Sequence, residues 1–445
     1  MKRKRSLLNP SKILVIGFAI TILIGTLLLT LPISTKDGNG LPLINALFTA
    51  TSATCVTGLV VVDTGTTFTY FGQVVILCLI QIGGLGFMSF ATLLSFLLGK
   101  KISLRERLIL QESFNSLTLE GIVRLVKRIL VFTFVIEFVG GVILSIRFAM
   151  DMPIGRAIWF GFFHAISNFN NAGFDIIGHF KSLTDYVNDP TITLVVSALI
   201  ILGGLGFFVM DNLFEYRKRK KLFLHTKIVL FTSAFLIIFG TMMIFLLEMH
   251  NGRTLERLSP MGKILASFYQ SVAPRTAGSN TLNITDLRPS TLFFIILLMF
   301  IGASSGSTGG GIKTTTLAVL LGAVWSQYRG KSEIVLFKQS LKHDVIYRAL
   351  TVTVSGLGIV MVVTFLLSIS EGGDRFLEFL FEATSAFATV GLSMDLTPHL
   401  SVFGKILIML TMFIGRVGPL TLAFALALKH SPDPIRYPEG KIMIG

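Results

Sequence analysis

Apolar runs dominate this chain, and each is about as long as a helix that crosses a bilayer. Only 14% of the 445 residues are charged, against about 25% in a soluble domain. A spanning helix needs about 20 apolar residues. Eight runs approach or exceed that length: Ile13–Leu31, Phe71–Leu98, Leu130–Phe148, Thr193–Leu213, Ile228–Leu247, Leu292–Val324, Ala349–Ile369 and Val402–Leu428. The sequence therefore predicts an all-α membrane protein with eight transmembrane helices.

Basic residues cluster in alternate loops between these runs, and the net charge is +15. Cytoplasmic loops carry an excess of Lys and Arg. The alternation thus predicts that both termini are cytoplasmic, with Met1–Arg5 an anchor rather than a cleaved leader. Since topology accounts for the charge, nucleic-acid binding is not expected. The clusters are Lys2–Arg5, Lys100–Arg107, Arg124–Arg128, Arg217–Lys221, Arg329–Lys342 and Lys429–Lys441.

Four shorter apolar segments lie between successive pairs of spans, and none is long enough to cross a bilayer. They are Leu43–Thr51, Ile158–Ser167, Ile264–Val272 and Phe376–Ala388. Each leads into a turn of small residues, which indicates a re-entrant loop. Irregular backbone at membrane depth is tolerated only where it is buried in protein or lines a water-filled path.

The four turns superpose on a closing glycine. They read Thr54-Cys55-Val56-Thr57-Gly58, Phe169-Asn170-Asn171-Ala172-Gly173, Pro274-Arg275-Thr276-Ala277-Gly278 and Phe387-Ala388-Thr389-Val390-Gly391. A glycine-containing apolar helix follows each turn. Periodicity of this length indicates repeated structural units. We expect four membrane–pore–membrane repeats around a pseudo-fourfold pore, at residues 1–99, 100–221, 222–330 and 331–445, the last including a cytoplasmic tail.

This constellation suits a cation. Rings of backbone carbonyls replace the hydration shell of K⁺ without trapping it in a charged site. Glycine reaches backbone angles that cost other residues free energy, and Thr54 or Thr57 is positioned to add a hydroxyl ligand. Only the first and fourth turns resemble a strong potassium filter, because Asn170, Asn171 and Arg275 depart from it. A transporter with broken helices is the alternative, but such proteins usually have two inverted halves.

A glycine-rich segment interrupts the third inner span. It holds Gly302, Ala303, Ser304, Ser305, Gly306, Ser307, Thr308, Gly309, Gly310, Gly311 and, after Ile312, Lys313. Five glycines and four hydroxyl residues are unsuited to a lipid-facing helix, so a broken helix that gates the pore is expected. The segment does not match a nucleotide-binding P-loop, because that motif has glycine directly before its lysine and here Ile312 precedes Lys313. A serine hydrolase site would need a histidine as the base, and no histidine lies in a facing span. The chain is therefore not expected to be an enzyme.

Arg416, Glu137 and Arg275 are charged residues at membrane depth, where such residues are usually functional or paired. Arg416 has two interpretations: a positive barrier below the filter, or a structural partner for a carboxylate or carbonyls. Glu137 is expected to bond neighbouring helices, and Arg275 to point into protein. Asp63, Asp175 and Asp395 follow three turns, where they either concentrate cations or form solvated surface.

The four turns, the segment Gly302–Thr315 and Arg416 resemble those of the Ktr/Trk/HKT superfamily of potassium transporters, and most closely the membrane subunits of bacterial Ktr systems. The resemblance covers nearly the whole chain. It implies that the four closing glycines belong to a K⁺ selectivity filter and that residues 302–315 regulate flux. Sodium-preferring members often have serine at the first glycine, so Gly58 favours potassium.

The resemblance also implies an assembly. It predicts a homodimer in a bacterial plasma membrane, with one pore per subunit and a KtrA-like cytoplasmic ring of nucleotide-binding regulatory subunits. The basic loops and the tail Lys429–Gly445 are candidate docking surfaces, with lipid headgroups as the alternative. K⁺ is the expected transported ion, with sodium dependence left open and no organic cofactor. The alternative function is a proton- or sodium-coupled secondary cation transporter.

Overall fold

A computed structural model describes residues 10–86, 122–331 and 333–419, with the separate positions 92, 93, 102, 106, 108, 110, 111, 421 and 422. Its helices are α1 (Pro10–Leu29), α2 (Leu43–Cys55), α3 (Thr64–Thr67), α4 (Tyr70–Leu85), α5 (Ile122–Phe148), α6 (Ile154–Phe169), α7 (Pro190–Leu205), α8 (Phe207–Arg219), α9 (Leu224–Glu248), α10 (Pro260–Val272), α11 (Pro289–Ile301), α12 (Thr314–Tyr328), α13 (His343–Glu371), α14 (Phe376–Ala388) and α15 (Val402–Val417). A small antiparallel hairpin, β1 (Ile334–Leu336) and β2 (Gln339–Leu341), follows α12.

One order of elements recurs four times along these residues. A long outer helix leads to a helix of 13 or 16 residues, then to a turn and an inner helix. The outer helices are α1, α5, α9 and α13, the half-helices α2, α6, α10 and α14, and the inner helices α4, α7, α11 and α15. Pro42 and Pro153 are the N-caps of two half-helices, and Pro260 is the first residue of a third. Proline suits these positions because the N–H groups at the start of a helix make no intrahelical hydrogen bond.

The half-helices close a ring through the inner helices. Each packs against the inner helix of the preceding unit: α6 on α4, α10 on α7, α14 on α11, and α2 on α15. The last contact joins the beginning of the chain to its end. The turns that follow the half-helices are therefore brought to a common centre.

Every inner helix ends at a glycine whose φ is positive. These are Gly86 (80°), Gly206 (96°), Gly302 (60°) and Gly418 (89°). Left-handed backbone ends a helix and favours glycine. The predicted span Thr193–Leu213 is therefore interrupted, since α7 and α8 meet at Gly206 with a bend of 96°.

Helix length alone supports fewer spans than the apolar runs do. In the described part of the chain four helices, α1, α5, α9 and α13, are long and apolar enough to cross a bilayer, or five spans if the bent pair α7–α8 counts as one. The inner helices α4, α7 and α15 have 16 residues and α11 has 13. The eight-span architecture and the repeat boundaries thus remain predictions.

The long helices expose large apolar side chains on their outer faces. Examples are Leu27 on α1, Ile238 on α9 and Phe365 on α13, each 65–69% exposed. A soluble domain would not leave such continuous apolar faces in water, whereas lipid favours them. The chain is an integral membrane protein.

Several predicted features lie outside the described residues. They include Lys2–Arg5, the cluster Lys100–Arg107 apart from positions 102 and 106, and the tail Lys429–Gly445. The predicted spans Phe71–Leu98 and Val402–Leu428 are described to Gly86 and Pro419, apart from separate positions. The location of the termini is thus also a prediction.

Candidate functional site

The four turns have one backbone conformation in common. Two residues before each closing glycine, the backbone is left-handed at Val56 (φ 58°), Asn171 (60°), Thr276 (70°) and Thr389 (50°). Each closing glycine also has a positive φ, between 70° and 94°. Left-handed backbone is costly for residues other than glycine and persists only where the surroundings impose it. Its repetition at four matching positions indicates one structural role.

The closing glycines contact each other's turns in a closed cycle. A Cβ added to Gly58 would lie 2.4 Å from the Ala172 oxygen, and one added to Gly173 would lie 2.6 Å from the Ala277 oxygen. A Cβ added to Gly278 would lie 2.8 Å from the Val390 oxygen, and one added to Gly391 would lie 2.1 Å from the Thr57 oxygen. Any side chain there would overlap backbone. The four carbonyl groups that precede the glycines therefore surround one axis.

Serine residues at the ends of three half-helices hold the turns. Six residues before the closing glycine, the carbonyls of Ser52, Ser167 and Ser385 accept from the turn at 2.8 Å. The hydroxyls of Ser52 and Ser385 also accept from the N–H groups of Gly58 and Gly391, both at 3.1 Å. Sequence reasoning missed these serines, although superposing the turns on their glycines reveals them in three repeats.

The third turn lacks this serine and has Val272 in its place. Its Ala277 N–H donates instead to Ala273 O at 3.0 Å, one residue nearer along the chain. The third turn is thus held differently from the other three.

Buried oxygens without protein partners lie within the turns. The hydroxyls of Thr54, Thr57 and Thr389 are fully buried, and each lacks a hydrogen-bond partner among the residues that the structure describes. Such an oxygen is costly unless something binds it. Neutral carbonyl and hydroxyl oxygens are the ligands that a dehydrated K⁺ ion takes. Across the described ranges no group of three His, Cys, Asp or Glu residues is placed to hold a metal.

The asparagines of the second turn direct their side chains into protein. Asn170 Nδ2 donates to Glu137 Oε1 at 2.8 Å and to Gln81 Oε1 at 2.9 Å, and Gln81 Nε2 donates to Glu137 Oε2 at 3.1 Å. Asn171 Nδ2 donates to Arg275 O at 3.0 Å and to Thr276 Oγ1 at 3.1 Å. Glu137 therefore bonds α4 and the second turn from α5.

Arg275 also turns away from the axis. Its guanidinium donates to Ser233 Oγ at 2.9 Å on α9, and the residue is only 4% exposed. Arg275 therefore contributes its backbone to the turn and its side chain to the packing around it. The side chains of Cys55 and Ala388 are fully buried within the first and fourth turns.

The glycine-rich segment lies against the turns as an irregular loop, residues 302–313, between α11 and α12. An added Cβ would lie 2.0 Å from Thr276 Oγ1 at Gly309, and 2.4 Å from Thr389 Oγ1 at Gly310. Lys313 Nζ donates to the carbonyls of Gly309 and Gly310 at 2.6 and 3.1 Å. The loop is thus packed directly beneath the third and fourth turns.

Arg416 of α15 bonds this loop to the first inner helix. Its guanidinium donates to the carbonyl oxygens of Thr308 and Gly83. Carbonyl partners were one of the two roles expected from the sequence. The contacts also place the positive charge beside the loop, so the barrier role stays a prediction.

An open cavity of about 310 Å³ lies on the glycine side of the turns and is lined by all four closing glycines. Asp63, Asp175 and Asp395 also line it. Asp63 accepts from the N–H groups of Thr66 and Phe180 at 2.6 and 2.7 Å, so it also orders the loops. Burial, and then the charge of Asp63, raise the pKa of Asp175 to about 7.

The family model of TrkH, described as a cation transport protein, matches residues 3–435. The chain belongs to the TrkH family. Members of this family are cation transporters and not enzymes.

Relatives within the TrkH family match the chain almost from end to end. It is 48% identical over 437 residues to Ktr system potassium uptake protein B of Bacillus subtilis, covering 98% of this chain and 97% of that protein. It is 41% identical to potassium/sodium uptake protein NtpJ of Enterococcus hirae, covering 100% and 99%. The structure of the potassium transporter TrkH from Vibrio parahaemolyticus has the same fold, with a TM-score of 0.74 at 18% identity, covering 96% of this chain and 86% of that one.

Replacing Glu137 by Leu should weaken the second turn, because the amides of Gln81 and Asn170 lose a common acceptor. We expect a loss of roughly 2 kcal/mol of folded-state stability and a lower rubidium-over-sodium flux ratio, with Glu137→Gln intermediate. Thermal unfolding in detergent and flux in liposomes measure the two effects.

Thr133→Val is the matched control for Glu137. Thr133 is buried on the same helix, one turn earlier, and its hydroxyl makes no hydrogen bond within the described part of the chain. A flux ratio that falls equally in both variants, or in neither, contradicts the positioning role of Glu137.

Influx at low rubidium should rise with pH on the glycine side of the turns. Because the pKa of Asp175 is raised to about 7, its carboxyl becomes increasingly ionised as the pH rises through neutrality, and a charged carboxylate concentrates cations. Asp175→Asn should flatten this profile, whereas the exposed Asp374→Asn should not. An unchanged profile in Asp175→Asn would exclude Asp175 as the titrating group.

Proposed function

We propose that this protein is the potassium-translocating subunit of a regulated K⁺ uptake system. The closed cycle of four glycines against four carbonyl oxygens carries the proposal. Such a ring offers a dehydrated cation neutral oxygens from all sides. The buried threonine hydroxyls without partners add further ligands of the same chemistry.

The selectivity filter consists of the four turns at residues 54–58, 170–173, 275–278 and 388–391. The half-helices end at these turns, so the negative ends of their dipoles lie near the ion. The four units form a pseudo-fourfold pore, with repeats at residues 1–99, 100–221, 222–330 and 331–445. The pore is chemically asymmetric, because the second and third turns have polar partners that the others lack.

The loop at residues 302–313 acts as the gate, together with Arg416. It lies beneath two filter turns, and its carbonyls and N–H groups bond to neighbouring inner helices. Closure by such a loop requires that it leave this position when the pore conducts.

The assembly proposal rests on the relatives. Names of the form "Ktr system potassium uptake protein" belong to components of multi-protein systems. We infer a homodimer with cytoplasmic termini and a ring of nucleotide-binding regulatory subunits. One relative is named a potassium/sodium uptake protein, so sodium dependence should be tested directly. Sodium- or proton-coupled transport is the alternative mechanism.

Rubidium influx into liposomes with the purified protein tests the function. We expect rubidium influx when a K⁺ gradient is imposed. Gly58→Ala should reduce this influx at least about tenfold, because the added methyl overlaps the Ala172 carbonyl. Gly358→Ala is the control, since an added Cβ meets nothing there. Absence of rubidium influx, with and without a regulatory partner, would refute the proposal. Influx that follows an imposed pH or sodium gradient would support coupled transport instead.

Deleting residues 303–310 should raise the maximal flux without changing the rubidium-over-sodium ratio, because the loop is removed and the filter turns remain. The ends to be joined are already adjacent, since an added Cβ on Gly302 would lie 3.1 Å from Gly311 Cα. Loss of all transport in a folded, monodisperse deletion variant would contradict a gate at this position.

A further inference from the structure

The bent helix pair α7–α8 of the second unit has a direct connection to the gating loop. Ser304 N donates to Gly204 O at 3.0 Å, Thr308 N to Gly203 O at 3.4 Å, and Phe207 N to Gly306 O at 2.9 Å. An added Cβ on Gly206 would lie only 2.7 Å from Ser305 O. The loop is therefore seated on the point at which α7 ends and α8 begins.

These bonds compete with a straight helix. In a continuous α-helix, the N–H of Phe207 would donate to the carbonyl of Gly203, four residues earlier. Here the Phe207 N–H and the Gly203 carbonyl both bond to the loop instead. Straightening α7–α8 would restore the intrahelical bond and remove two anchors of the loop. A seated loop and a straight helix thus exclude each other.

Two ion pairs join α8 to α5. Arg128 Nη1 of α5 lies 2.7 Å from Asp211 Oδ1 and 2.7 Å from Glu215 Oε1, one helical turn apart on α8. We call these three residues the α5–α8 clamp. Phe132 of α5 and Phe214 of α8 support it, with ring centroids 5.4 Å apart.

The clamp residues are partly accessible. The side chains are 30% exposed at Arg128 and 20% exposed at Asp211 and Glu215. Partly exposed ion pairs contribute little to overall stability, but a small free energy is enough to bias an element that has two arrangements.

We propose that the α5–α8 clamp keeps the gate closed: it holds α8 bent, and the bend seats the loop at residues 304–308. Arg128 is a positioning residue that acts through the backbone bonds at Gly203–Phe207. The inference rests on the proposed gate, and it adds a control point in a different repeat from the loop.

Arg128→Gln in the full-length protein tests the clamp by rubidium influx into liposomes. Neutralising the arginine should raise the maximal influx by about 2- to 30-fold. The rubidium concentration at half-maximal influx and the rubidium-over-sodium ratio should stay unchanged, because the filter turns are not touched. Arg128→Lys, which keeps the charge, should remain close to the unmodified protein.

Arg147→Gln is the matched control. Arg147 lies on the same helix α5 and pairs with Asp189, next to the first residue of α7, and with Asp151. It therefore joins α5 to the beginning of α7, the end of the α7–α8 pair that lies away from the loop. Its influx should be unchanged, and a rise equal to that of Arg128→Gln would overturn the proposal.

A second variant removes the acceptors and leaves the arginine. Asp211→Asn with Glu215→Gln should reproduce the effect of Arg128→Gln, since either change removes both ion pairs. This double variant takes the place of Arg128→Gln if the latter does not purify as a folded protein. Failure of both acceptor changes to raise influx would overturn the clamp.

Combination with the loop deletion separates the clamp from the gate. If the clamp acts through the loop, Arg128→Gln should have no effect in the chain that lacks residues 303–310. Equal increases with and without the loop would overturn the inference. If the deletion raises influx and Arg128→Gln does not, the gate stands and the clamp falls. If the deletion does not raise influx, the gate itself is wrong, and the clamp falls with it.

Discussion

The contact between each closing glycine and the carbonyl that precedes the next one is the constraint on which the rest of the structure depends. It leaves room for no Cβ at any of the four positions. To bring four turns this close, each half-helix must end near the axis, and it does so by packing against the inner helix of the preceding unit. The long outer helices then surround this ring and present apolar side chains to lipid. The centre therefore dictates the placement of each layer outside it.

Fourfold backbone geometry coexists with four different chemical environments. In the first and fourth turns a serine hydroxyl accepts from the closing glycine. In the second turn Asn170 bonds to Glu137, and in the third Arg275 bonds to Ser233. The third unit also has the shortest inner helix, which ends at Gly302 and opens into the loop. The loop therefore belongs to the unit whose turn lacks the serine common to the other three.

The sequence predicted the elements whose signals are local. The half-helix Phe376–Ala388 has the predicted bounds, because a short apolar run is followed at once by a turn residue in left-handed conformation, Thr389. The bend at Gly206 was missed, since the average hydrophobicity of an apolar run hardly changes with a single glycine. The partners of Arg416 and of the loop were also out of reach. Thr308 is 108 residues from Arg416 in sequence, and only the closed ring brings them together.

The last contact of the cycle joins Gly391 to Thr57, the fourth turn to the first. During synthesis the chain emerges from its beginning, so the first three turns enter the membrane before the fourth exists. Until then the ring lacks one side, and the left-handed residues of the earlier turns lack the neighbours that impose their conformation. The ring of turns is thus completed only when the fourth turn is in place. A partly made chain therefore holds three of the four carbonyl groups and has no closed ring around the axis.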